Sequence, residues 1–153
     1  MHYQPSITDR IAAALMGLRA AYAITFIVAV TLALAGILDL RSLDPELARF
    51  FAMQPAPLYA LWVVYVSCYM IAAILLWTGR PTRALMTYMG AFALDIVLWT
   101  LVYTVGVDQG ALPAWGRIMD VVITTFDLIA ISYLLFVVMV FRKPAGEGFF
   151  SPR

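Results

Sequence analysis

Charge is what this chain has least of. Only 12% of its residues are Asp, Glu, Lys or Arg, about half the share usual in soluble domains. Cysteine and histidine occur once each, as Cys68 and His2, and asparagine does not occur. Each shortage excludes a class of chemistry. One cysteine cannot close an intrachain disulfide, and no Cys/His set exists to hold zinc or an iron–sulfur centre. One histidine, next to the N-terminus, cannot supply paired haem ligands inside a membrane. The net charge of +1, with no basic patch interleaved with aromatics, leaves no footprint for nucleic acid. No metal and no cofactor is expected. The absence of a catalytic cluster weighs against an enzyme.

Apolar residues fill the space that charge leaves. Hydrophobic residues are 64% of the chain and the mean hydropathy is +0.92. A soluble protein of this size has too little interior to hide so much apolar surface, so the chain is read as an integral membrane protein in a lipid bilayer. Four long runs, at about 20–40, 58–78, 84–105 and 118–141, each suffice to cross ~30 Å of hydrocarbon at ~1.5 Å per residue. The expected fold is all-α, a polytopic bundle of four transmembrane helices.

The segments around these runs carry helix punctuation. Ser6-Ile7-Thr8-Asp9 fits a capping box. Ile7, Ile11, Leu15 and Leu18 then recur at helical spacing, which suits either an amphipathic helix over residues 1–17 at the membrane surface or an extension of the first span. Asp44-Pro45-Glu46 opens a short interfacial helix in the first connection. In Gly79-Arg80-Pro81-Thr82-Arg83, Gly79 suits a helix C-terminus, Pro81 blocks continuation and Thr82 is placed to cap the next helix. So short a turn makes the second and third spans antiparallel neighbours. The tail, 142–153, is rich in breakers and expected to be disordered.

Four spans put both termini on one side. Arg10, Arg19, Arg80, Arg83, Arg142, Lys143 and Arg153 fall on that side, against Arg41, Arg49 and Arg117 on the other. The bias favours cytoplasmic termini, in a membrane of the bacterial inner type.

Two acids interrupt the apolar runs. Asp95 is the only charged residue between Arg83 and Asp108, and Asp127 the only one between Asp120 and Arg142. An ionised carboxylate at a membrane midplane costs roughly 3 kcal/mol or more. Counted from the outer ends of their spans, both lie ~14–15 Å deep, on consecutive antiparallel helices. Tyr88, Phe92, Asp95, Trp99 and Tyr103 form one helical stripe. Asp120, Thr124, Asp127 and Ile131 form another, and Tyr69 is deep enough to need a partner for its hydroxyl. No base is expected at matching depth. Desolvation, and repulsion if the acids are close, would then favour a protonated carboxyl hydrogen-bonded to its neighbour.

Three roles compete for these acids: polar glue between helices, a proton or cation site assisted by Thr124, Trp99, Tyr88 and Tyr69, and a contact with a partner subunit. An intramembrane aspartyl protease is a fourth and weaker reading, since supporting motifs are missing around either acid. Thr104–Asp108 lacks the tyrosine and second glycine of a potassium-channel filter, and the helices lack the glycine density of rotary-ATPase proteolipids. Asp120, Arg117 and Asp108 form the only other polar group, at the outer surface. The leading expectation is an accessory or assembly subunit of a larger membrane complex, with a membrane protein partner or a second copy of itself. The alternative is a small proton- or cation-coupled transporter, or a ligand-binding bundle, built on Asp95 and Asp127.

Overall fold

The computed structural model describes residues 3–39, 45, 56–104 and 114–141. Within them the chain is all-helical: α1 (Ile7–Leu34), α2 (Ala56–Trp77), α3 (Pro81–Thr104) and α4 (Ala114–Phe141). All four are long and apolar enough to cross a membrane. The interfacial helix expected after Asp44 falls, Pro45 apart, outside the described residues. So do residues 105–113 of the second connection, Asp108 among them, and the tail from Arg142.

Of the two readings of residues 1–17, the first helix follows the extension of the span. It is one continuous helix that starts at the Ser6 cap, with no break near residue 17. The capping box forms as expected: the Ser6 hydroxyl accepts from the Asp9 amide at 3.2 Å, and the Asp9 carboxylate accepts from the Ser6 amide at 2.7 Å. Ile7, Ile11, Leu15 and Leu18 all point outward. Their stripe is therefore a lipid-facing surface of the span itself. The helix ends at Leu34, short of the expected Leu40, where Gly36 takes a left-handed conformation and Ile37 donates back to the Leu32 carbonyl at 2.9 Å.

The turn between α2 and α3 follows the same logic. Gly79 has φ +76°, Arg80 donates to the Leu75 carbonyl at 2.8 Å and Gly79 to the Leu76 carbonyl at 3.1 Å. This is a Schellman closure, which needs a residue without a Cβ penalty at that position. Thr82 is not the cap of the next helix. Pro81 is already helical, because its fixed φ suits the first helical position, where no N–H is required.

Packing follows chain order. α1 lies against α2, α2 against α3 and α3 against α4, while α1 and α4 touch only lightly. Ala13, Ala20 and Ala23 of α1 and Ala72 and Ala73 of α2 are all buried, and Gly17 faces Ala73. Small side chains let the two backbones approach closely, the usual route to helix association where no hydrophobic drive separates protein from lipid. Met16, Leu76, Leu98 and Leu134 fill the interior. Many large aliphatic side chains point outward on every helix, as a lipid-solvated bundle requires.

Candidate functional site

Halfway along α4 sits Asp127, with no exposed surface. Its Cα is ~20 Å from either end of the helix at ~1.5 Å per residue. Each of the other three helices sends a donor to it. From α1, Arg19 donates through Nε to Oδ1 at 3.2 Å and through Nη2 to Oδ2 at 2.9 Å. From α2, the Tyr69 hydroxyl donates to Oδ2 at 3.1 Å. From α3, the Tyr88 hydroxyl donates to Oδ1 at 2.6 Å. Two donors on each oxygen is the full complement of an ionised carboxylate, which only accepts. The Arg19 contact is the bidentate fork that guanidinium geometry favours, and the same guanidinium lies 4.0 Å above the Tyr69 ring centroid.

Arg19 overturns the expectation that no base shares the depth of the acids. A span counted from Ala20, where the first apolar run starts, puts this arginine at the membrane edge. The helix, however, begins at Ile7, and Arg19 lies ~18 Å from that end. Its side chain keeps only 7% of its surface exposed. With a base present, the premise for a shared proton between two neutralised acids no longer holds for Asp127.

Asp95 is held differently. Its one contact with the cluster is to Arg19 Nη2, at 3.5 Å, and its side chain is 13% exposed. A single guanidinium thus faces two carboxylates, tightly bound to one and loosely to the other. With both acids ionised, the Arg19–Asp127–Asp95 group carries one uncompensated negative charge. Tyr65 of α2 lies in electrostatic reach of Asp95. So does Asp120, two turns from Asp127 along α4.

The other residues singled out in the sequence divide. Tyr69 and Tyr88 join the cluster. Trp99 stands one turn beyond Asp95, its ring 6.0 Å from that of Trp62. Trp62, Tyr65, Tyr69 and Tyr88 continue as a row of rings with centroids 6.4, 5.8 and 4.6 Å apart. Thr124 is exposed on the outer face of α4 and is not brought to the acids. Asp120 is half-buried and Arg117 exposed. Of the outer polar group, Asp108 lies outside the described residues. No set of three His, Cys, Asp or Glu side chains gathers as metal ligands among the described residues.

A second polar knot was not foreseen beyond its capping box. Asp9, 2% exposed, accepts from the Tyr3 hydroxyl at 2.6 Å, the Ser6 hydroxyl at 2.6 Å and the Tyr133 hydroxyl of α4 at 2.7 Å. Tyr3 and Pro5 lie across Gly79, so the N-terminal segment straps the α2–α3 turn to this end of the bundle. Burial first, and then the bond to Asp9, push the Tyr3 hydroxyl well above the ordinary tyrosine pKa. Compared with protein-family models, with curated proteins and with solved structures, the chain matches none.

Proposed function

We propose that this membrane protein is a small proton-coupled bundle in which Asp95 takes up and releases the proton. The observation that carries this reading is the unequal sharing of Arg19. Asp127 is saturated by four donors and fixed, whereas Asp95 holds one 3.5 Å contact and keeps some exposure. One proton on Asp95 brings the buried group to neutrality. Its loss restores a net negative charge in a low-dielectric interior, where such charge is costly. That difference is the kind that biases helix packing. Asp95 is thus the working acid, Asp127 the anchor, and Tyr69 and Tyr88 hold the anchor in place.

Proteoliposomes with a trapped pH-sensitive dye and an imposed potassium diffusion potential test this directly. Proton movement is expected in the wild type, retained in Thr124→Val and abolished in Asp95→Asn. Wild-type vesicles no faster than protein-free ones would sink the reading.

The runner-up is an accessory or assembly subunit. It is favoured by the light α1–α4 contact, which leaves an apolar groove of about 220 Å³ lined by Ile11, Leu15, Phe126 and Ile129 among others, wide enough for a partner side chain. In that reading the Arg19 cluster only pins the fold. Crosslinking and purification in mild detergent decide it: a lone monodisperse monomer with no partner counts against it. Orientation is part of the same proposal. With Arg19 removed from the arginine tally, the positive bias still favours termini in the cytoplasm, in a membrane we take to be of the bacterial inner type.

A further inference from the structure

Asp95 has different surroundings toward the two ends of the bundle. Toward the end that carries the connections, α4 presents Asp120. It lies seven residues from Asp127, and at ~100° per residue it shares that residue's face. It is half-buried, and no described residue pairs with it. Measured from the connection ends of their helices, Asp120, Asp95 and Asp127 lie ~9, ~14 and ~20 Å deep. Asp120 thus stands between the other two carboxyl groups and the connection end.

Toward the terminal end no described acidic side chain lies between the Arg19–Asp127 pair and Asp9. Met16 is 1% exposed, and Leu76, Ala84 and Leu134 not at all. These four come from four different helices and lie on the terminal side of the Arg19–Asp127 pair. They lie ~2 to ~14 Å from the terminal ends of their helices and belong to one buried apolar cluster. At this end the Asp9 carboxylate is already occupied by Tyr3, Ser6 and Tyr133.

We infer that Asp95 exchanges its proton with water only from the connection end, by way of Asp120, and that the buried apolar packing around Met16, Leu76, Ala84 and Leu134 closes the terminal end in this conformation. The inference rests on the proton-site reading of Asp95 and adds the side of access and the relay residue. In the step itself, a proton passes from the Asp120 carboxyl, directly or through water, to the Asp95 carboxylate. Asp120 is then reprotonated from the aqueous phase, so no co-reactant is consumed. The groups facing Asp95 are Arg19 from α1, Tyr65 from α2, and Asp120 and Asp127 from α4. As Asp95 is neutralised, Arg19 remains held by Asp127. Buried carboxyl chains of this sort are how membrane proteins move protons.

Two measurements test it. In a Cys68→Ser background, single cysteines at Asp95→Cys and Leu134→Cys are probed in sealed, oriented membrane vesicles with a membrane-impermeant maleimide. Ser42→Cys, in the α1–α2 connection, and Ser151→Cys, near the C-terminus, mark the two sides. Asp95→Cys is expected to react from the Ser42 side and to be protected from the Ser151 side, with Leu134→Cys unreactive from both. Reaction of Asp95→Cys from the Ser151 side, from both sides or from neither overturns the inference, as does labelling of Leu134→Cys. In the second, hydrogen–deuterium exchange of the Asp95 carboxyl, followed by infrared difference spectroscopy, is expected to slow by about a hundredfold or more in Asp120→Asn, the scale of a positioned proton-transfer group. An unchanged exchange rate removes Asp120 from the route. A wild type with no exchangeable carboxyl signal from Asp95 defeats the proton-site reading itself, an outcome distinct from labelling on the wrong side.

Discussion

Replacing Arg19 by methionine removes the only base from a buried group of three charges. Asp127 then keeps its two tyrosine donors but loses its counter-ion and the two charge-assisted bonds at 3.2 and 2.9 Å. Asp95 loses its 3.5 Å contact. Breaking a buried ion pair by deleting one partner costs about 3–5 kcal/mol, because the remaining charge is left uncompensated. Methionine occupies much of the arginine stem's volume, so little of that loss comes from a cavity. Adding Asp127→Asn to Arg19→Met removes the orphaned charge while still accepting from Tyr69 or Tyr88. The double variant should therefore be more stable than Arg19→Met alone. Acidification, by protonating the two orphaned carboxyls, should add more stability to Arg19→Met than to the wild type, where Asp95 alone takes up a proton. Denaturant titration in mild detergent, followed by tryptophan fluorescence, reads all of these. The reasoning is refuted if Arg19→Met stays within about 1 kcal/mol of wild type, the range of an exposed pair. It is equally refuted if the two substitutions simply add.

The remaining expectations concern the parts around this group. Tyr88→Phe and Tyr69→Phe each remove a hydroxyl donor to a charged acceptor and should cost about 1.5–3 kcal/mol in the same titration, with the shorter Tyr88 bond the more costly to lose. Gly79→Ala places a Cβ 2.6 Å from the Tyr3 carbonyl oxygen at a left-handed φ; it should destabilise the fold by about 1 kcal/mol or more and raise hydrogen exchange at the Ser6 and Asp9 amides. The Tyr3 strap also has a pH signature. The folded-state value lies above the unfolded one, so the contribution is fully present below pH ~10 and is lost as the pH rises through the higher folded value. The ultraviolet difference between wild type and Tyr3→Phe should accordingly show no phenolate at the pH where an exposed tyrosine titrates.

The physical reason for each sequence expectation decides how far it reached. Four long apolar runs left only helices as spanning structures, because every backbone group in lipid must be satisfied within its own segment. The Ser6 cap and the Gly79–Pro81 turn were legible because they depend on a few adjacent side chains. Arg19 was missed because the span was counted from the first uninterrupted apolar residue instead of from the helix cap. The capping box at Ser6 was itself the signal that the helix starts two turns or more earlier, and counting from there places Arg19 level with Asp127. Thr124 was over-read because three residues from Asp127 is near the same face but on its lipid side. The tertiary partner Tyr133 of Asp9 leaves no local trace, since 124 positions separate the two.

The central claim is that Asp95, and not Asp127, is the acid that exchanges protons with water. pH-jump infrared difference spectroscopy of the reconstituted protein tests it most directly, by following the carboxyl stretch in wild type, Asp95→Asn and Asp127→Asn. The account expects one titrating carboxyl in the wild type and its disappearance in Asp95→Asn. A carboxyl signal that survives Asp95→Asn unchanged, or that vanishes only in Asp127→Asn, would contradict it.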